Sequence, residues 1–178
     1  IQINFKGALG LSKDEIEKIY YENASVLASN NYLDLKYAQD FSSILKEEYL
    51  KKGFVFVEVD MPEVKNQGEK EAIIEYKIRE RQQCVLESIN ITSVSNETKE
   101  KIKAEMVNKE GQPLNVVKMQ LDFKKIVSIV QEEGYYFAVI KNLNKKSIIS
   151  YSDSFTAANL NVDLFLDKIS SCSSSHNF

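Results

Sequence analysis

The chain is short of the residue types that chemistry usually needs. Its 178 residues include one histidine and two cysteines. A nucleophilic site requires a base beside its nucleophile, yet His176 stands in the Ser-rich ending Ser170-Ser-Cys-Ser-Ser-Ser-His-Asn-Phe178. One His with the distant Cys84 and Cys172 cannot supply a zinc site, and such a pair makes no disulfide framework. Arginine is confined to Arg79 and Arg81, which argues against a surface built for bidentate phosphate recognition. The glycines at 7, 10, 53, 68, 111 and 134 form neither a dinucleotide fingerprint nor a P-loop. No apolar run approaches the ~18 residues of a transmembrane helix. An initiator Met and a signal peptide are also missing, so the chain reads as a mature segment or a fragment. Together these absences predict no enzyme activity, no cofactor, no metal and no nucleic-acid partner.

What is present is a change of period. From Tyr37 through Phe41, Ile44, Leu45 and Tyr49 the apolar residues recur at three and four, as on a helix; after Gly53, Val55, Val57 and Val59 recur at two, as on a strand. Gly53 suits the junction because it can take the left-handed conformation that ends a helix. The same grammar returns downstream, where Phe123, Ile126, Val127 and Val130 form a stripe, Gly134 ends it, and Tyr135 to Ile140 follows as a strand. The two glycines stand 81 residues apart, so the chain reads as one unit written twice. Residues 1–80 form one expected domain and 81–169 the other, with 170–178 a disordered or vector-derived tail.

Each unit is expected to run β-α-α-β-β. In the first, Ile1, Ile3 and Phe5 alternate as a strand, and Ser12-Lys-Asp-Glu15 has the spacing of a capping box. A helix to about Ala28 follows, with Ile16, Ile19, Tyr20 and Leu27 buried and Asn30-Asn31 as its break. A second helix spans about Asp34 to Lys52. The strand after Gly53 should stop at Met61-Pro62, since Pro cannot donate to a ladder. Lys65 to Gly68 is the expected hairpin loop before a strand through Ala72, Ile74, Tyr76 and Ile78. In the second unit Val85, Ile89 and Ile91 share a strand face, Ser95-Asn96 supplies a turn and helix cap, and a helix carrying Ile102 and Met106 is ended by Gly111-Gln-Pro113. The second helix begins near Asn115. After Ile140 comes a polar connection, then a last strand through Leu160, Val162, Leu164 and Leu166. The fold class is α+β: two tandem modules, each a three-stranded mixed sheet with two helices on one face. Two helices cannot cover both faces of such a sheet, so one face and an edge stay open.

Tandem units whose second helix ends in Tyr49-x-x-x-Gly-Phe54 or Val130-x-x-x-Gly-Tyr135 before a strand resemble POTRA domains of the BamA-like outer-membrane assembly and translocation proteins. The opening Ile1-x-Ile-x-Phe-x-Gly7, the strand Ile74-x-Tyr-x-Ile-x-Glu80 and the segment Gly111-Gln-Pro-Leu-Asn115 match the same pattern. The sequence departs from it at Gly7-Ala8 and Ser95-Asn96, where Gly-Asn is usual, and at Glu80-Arg81, where Glu-Gly is usual.

The resemblance implies a periplasmic segment, or its counterpart in an organelle's intermembrane space, standing before an outer-membrane barrel. It would receive unfolded outer-membrane or secreted polypeptides and scaffold accessory assembly proteins, meeting the membrane only through a barrel absent from this chain. The expected partner-binding residues are the strands after the junction glycines: Phe54, Val55, Phe56, Val57, Glu58 and Val59, and Tyr135, Tyr136, Phe137, Ala138, Val139 and Ile140. A sheet edge there would take an extended peptide as an added strand. The alternatives are the POTRA pair of a two-partner secretion transporter and, more remotely, a KH-like nucleic-acid module. A KH domain needs its GXXG loop between its two helices, and here Gly7-Ala-Leu-Gly10 precedes the first.

Overall fold

A computed structural model of the chain describes residues 2–23, 34–66 and 72–167. The expected end of the first helix near Ala28 with Leu27, the Asn30-Asn31 break, Gln67-Gly68 of the hairpin loop, and the tail with Cys172 and His176 lie outside the described residues. The chain divides into two compact units, Ile1–Cys84 with Pro113–Val117, and Val85–Gln112 with Lys118–Phe178.

In unit one, strand β1 (Gln2–Lys6) precedes helices α1 (Lys13–Asn23) and α2 (Leu35–Lys51), and strands β2 (Glu58–Val59), β3 (Glu63–Asn66) and β4 (Ala72–Arg79) follow. The capping box forms as its spacing predicts: the Ser12 N–H donates to Glu15 Oε2 at 2.8 Å and the Glu15 N–H to Ser12 Oγ at 3.2 Å. Asp34 caps α2 by accepting the Tyr37 N–H. Strand β4 is central, with β1 parallel on one side and β2 and β3 antiparallel on the other. The helices bury Ile16, Ala38, Phe41, Leu45 and Tyr49 against Ile74, Tyr76 and Ile78. Rings dominate this layer: Phe41 meets Phe5, Tyr20, Tyr37 and Tyr76 at centroid distances of 4.7–6.5 Å. The Tyr76 hydroxyl donates to the Ala38 carbonyl at 2.7 Å, which satisfies the one polar group that this ring carries into the core.

Unit two holds β5 (Val85–Ile91), α3 (Asn96–Glu105), α4 (Met119–Glu132), β6 (Val139–Ile140), β7 (Ile149–Tyr151), β8 (Ala157–Val162) and β9 (Leu164–Phe165). Ser95 caps α3 by accepting the Thr98 N–H. Strand β5 runs parallel to β8, β7 antiparallel to β8, and β6 antiparallel to β9. Leu86, Ile89 and Ile91 face the core; Glu87 is an extra residue in the β5 ladder, and this bulge shifts the alternation so that Leu86 takes the buried place expected of Val85. The core here is aliphatic, with Phe123 the only buried ring among the described residues of unit two. Where unit one has Phe41, the matching helix position holds buried Asp122, whose carboxylate accepts from the Val107 N–H, the Asn108 N–H and Asn108 Nδ2 at 2.6–3.1 Å.

The two junctions superpose in sequence as expected. Gly53 has φ +87° and Gly134 φ +97°. The N–H of Phe54 donates to the Tyr49 carbonyl and that of Tyr135 to the Val130 carbonyl, an identical cap at the 81-residue spacing. The strands, however, start four residues later than the alternation suggests. The N–H of Val57 donates to the Phe54 carbonyl and that of Ala138 to the Tyr135 carbonyl, so 54–57 and 135–138 are turns and only Glu58–Val59 and Val139–Ile140 are strand.

The edge strand of unit one also runs past its proline. Partners change from Val59↔Ile78 to Glu63↔Glu75, a one-residue bulge at Met61-Pro62, and pairing resumes to Asn66. A bulge at an edge is a place where a missing N–H is tolerated. In unit two the same edge is split more widely. Ile140 faces Leu164 and Ile149 faces Leu160, so the strand is broken by an insertion of five residues more than the partner strand spans. The polar connection expected after Ile140 therefore contains strand β7, with Ile148 buried beside it.

Candidate functional site

The free edges of the two units carry their open main-chain groups at matching residues. In unit one the Asp60 N–H donates to the Lys77 carbonyl at 3.0 Å; in unit two the Lys141 N–H donates to the Asp163 carbonyl at 2.8 Å. Inward and outward positions alternate along an antiparallel strand. Val59 and Ile140, one residue earlier, therefore turn their N–H and C=O to the unpaired side.

The predicted site residues divide between core and surface. Phe54 and Val57 are buried, with the Phe54 ring 5.4 Å from that of Tyr49, and Ala138 is buried as well. Val55, Val59, Tyr135 and Ile140 are half-buried, and Phe56 and Glu58 are exposed. Tyr136 is 63% exposed, Phe137 62% and Val139 51%, an apolar cluster extended by Phe165 at 50%. The turn residues thus contribute packing on one side and open rings on the other.

The surroundings of the edges differ. In unit one Arg79 lies across the edge strand, making two bonds to Asp60 at 2.7 and 2.9 Å and one to Glu58 at 2.8 Å, while Arg81 reaches Glu58 at 2.9 Å and Lys77 pairs with Glu63. Hydrogen bonding to Arg81 and Arg79 holds the Glu58 carboxyl below its usual range, and Arg79 does the same for Asp60. Charges, a bulge and a proline are the devices by which edges resist pairing. Among the described residues unit two has a single ion pair at its edge, Lys141 with Asp163 at 3.2 Å, and no proline there. Instead an open groove of about 720 Å³ runs along β6, floored by Phe123, Val127 and Ala138 and walled by Leu143, Asn144 and Lys145 of the insertion. The sequence pattern gave no sign of this wall, because its residues read as a solvated loop.

A β-α-α-β-β module with its second helix beside an open edge strand, repeated in one chain, is the architecture that defines these domains as a class. Residues 85–164 match the POTRA family model, described as a surface antigen variable number repeat. The match falls on the second unit, and the first unit repeats the same element order. The fold is similar to POTRA3-5 of BamA from Haemophilus influenzae, with a TM-score of 0.59 at 13% identity over 94% of this chain and 66% of that one. It is similar also to BamA from Haemophilus ducreyi lacking POTRA domains 1–3, with a TM-score of 0.50 at 12% identity over 94% of this chain and 30% of that one. The chain spans just under two thirds of the first of these structures and under a third of the second. No curated protein matches it in sequence. Among the described residues no helix is long and apolar enough to cross a membrane.

Proposed function

We propose that the chain is a periplasmic polypeptide-binding module of an outer-membrane β-barrel assembly or translocation protein. It receives unfolded outer-membrane or secreted polypeptides as added strands and scaffolds accessory assembly proteins. The observation that supports this reading is the edge at Ile140, with its outward N–H and C=O beside a groove floored by apolar residues. Main-chain hydrogen bonding gives sequence-tolerant affinity, which a receptor of many unfolded clients needs. The fold shared with BamA domains supports the same role. Unit one, whose edge is covered by ion pairs, serves as the spacer and scaffold of the pair.

The test is a titration of isotope-labelled chain with an unfolded outer-membrane-protein peptide, read by amide NMR. Shifts should concentrate at Val139–Lys141 and Asp163–Phe165. Proline at Ile140 removes the outward donor from an edge position and should abolish these shifts while the spectrum stays dispersed. Proline at Val57 or Ala138 would not serve, because those N–H groups close the turns. No shifts at millimolar peptide, or shifts confined to α3, would overturn the reading.

A further inference from the structure

The groove of unit two has a sign as well as a shape. Its lining contains Lys124 from α4, Lys141 from the end of the edge strand and Lys145 from the insertion, and no aspartate or glutamate. Lys141 is engaged with Asp163 at 3.2 Å. Lys124 and Lys145 are exposed and take part in none of the ion pairs among the described residues. This character is not demanded by the fold. Counting back 81 residues, Ser43 stands for Lys124, Lys46 for Val127, Glu47 for Ser128, Glu58 for Val139 and Asp60 for Lys141, and the last two are paired with Arg79 and Arg81, so unit one does not share the unpaired lysines of this groove.

Resting on the strand-addition reading, we infer that this groove selects an extended segment whose groove-facing residues are apolar and end in an acidic residue. Such a segment, paired with Ile140, sends every second side chain toward α4. Apolar residues there cover Phe123, Val127 and Ala138, and a carboxylate at the end of the row falls between Lys124 and Lys145. The insertion after β6 is the specificity element, because it supplies both Leu143 and Lys145.

The experiment uses the whole chain and three short peptides of alternating apolar pattern that differ only in the last groove-facing residue: Glu, Gln or Lys. Partly exposed charge contacts contribute modestly, so two lysines should favour the Glu peptide over the Lys peptide by about tenfold in Kd. The preference should collapse in the Lys124→Gln/Lys145→Gln variant, which should bind the Glu and Gln peptides equally, and it should shrink in high salt. Equal affinity for all three peptides, with shifts still on β6, overturns the charge selection and leaves strand addition standing. Binding of none of them removes strand addition and the selection with it.

Discussion

The open faces of the two sheets solve one problem with different chemistry. Residues of the first and last strands correspond at a spacing of 86, so that Ile3↔Ile74 of unit one becomes Ile89↔Leu160 of unit two. On the uncovered side, unit one is a lattice of charges. Glu75, only 4% exposed, is gripped by Lys6 at 2.8 Å and Lys65 at 3.2 Å from the strands on either side. Unit two has Asn161 in that place and builds a ladder of amides and hydroxyls, Ser88 to Asn159 at 2.6 Å, Asn90 to Asn161 at 3.0 Å and Asn161 to Ser150 at 3.1 Å, which ends on a carboxylate where Thr92 donates to Asp163 at 3.0 Å. The difference teaches that the backbone register constrains which face is buried and leaves the other face free to be tuned. A face built on ion pairs answers to pH and salt more strongly than a ladder whose amides and hydroxyls carry no charge and which meets one carboxylate, Asp163, at its end.

The cores offer the sharpest way to separate the units. Phe41→Ala empties the centre of the aromatic layer and should destabilise unit one by about 3–5 kcal/mol, as large buried truncations do. Asp122→Ala at the matching position should cost less, about 1–3 kcal/mol, by stranding the N–H groups of Val107 and Asn108. Urea denaturation read separately on amides of each unit checks both. Equal losses would mean that the ring cluster is not what holds unit one.

The junction glycines come next. A Cβ at Gly53 would lie 2.7 Å from the Cys84 carbonyl oxygen, whereas one at Gly134 would meet nothing within 4 Å. Both have positive φ, so Gly134→Ala should cost about 1 kcal/mol and Gly53→Ala distinctly more, since backbone must also shift. Thermal melts of the two variants rank them, and an inverted order would break the comparison.

A smaller effect concerns Arg81, which has φ +62°. Arg81→Ala and Arg81→Gly both lose the exposed ion pair to Glu58, so the difference between them isolates the backbone. Glycine should be the more stable by up to about 1 kcal/mol, because a left-handed conformation disfavours any Cβ. Chemical denaturation of the two variants measures it.

The smallest expected effect is in acid. Bonding to Lys52, then to Ser12, holds Glu15 at about 2 against an ordinary 4.5. Contacts with Lys6 for Glu75 and with Lys77 for Glu63 also push those carboxyls down. Carboxyls depressed by folding contribute stability above their unfolded pKa, and it is lost as pH falls through the folded value. Unit one should therefore weaken more than unit two between about pH 4.5 and 2. Hydrogen exchange in both units across that range gives the test, and Glu15→Gln should flatten part of the difference.

What the sequence made legible follows the strength of its periodic signals. The stripes of α2 and α4, the caps at Ser12 and Ser95, and the junction glycines are local devices, each visible within a few residues. The start of the edge strands was not legible because Phe54-Val-Phe-Val57 alternates like a strand while closing a turn. Strand β7 was hidden because it is three residues long, Ile149-Ser-Tyr151, at the end of a run of Asn, Lys and Ser that reads as loop. The bulges at Glu87 and at Met61-Pro62 depend on the partner strand, which no single stretch encodes. The groove combines α4, β6 and an insertion that sequence reading treats as loop. Its lysines come from three separate stretches, Lys124, Lys141 and Lys145, which no local pattern links.

The parallel pairing of the first strand of each unit with its last has a consequence for how the chain is made. Ile3 lies against Ile74, and Ile89 against Leu160, 71 residues away in each case. A ribosome or translocon releases the chain from its beginning, so β1 and β5 must wait, each without its neighbour, until almost the whole of its unit has emerged. Closing so long a loop before any contact compensates for it is slow. Each unit is consequently committed to folding late and all at once, and a chain cut before Ala157 should leave unit two without a partner for β5.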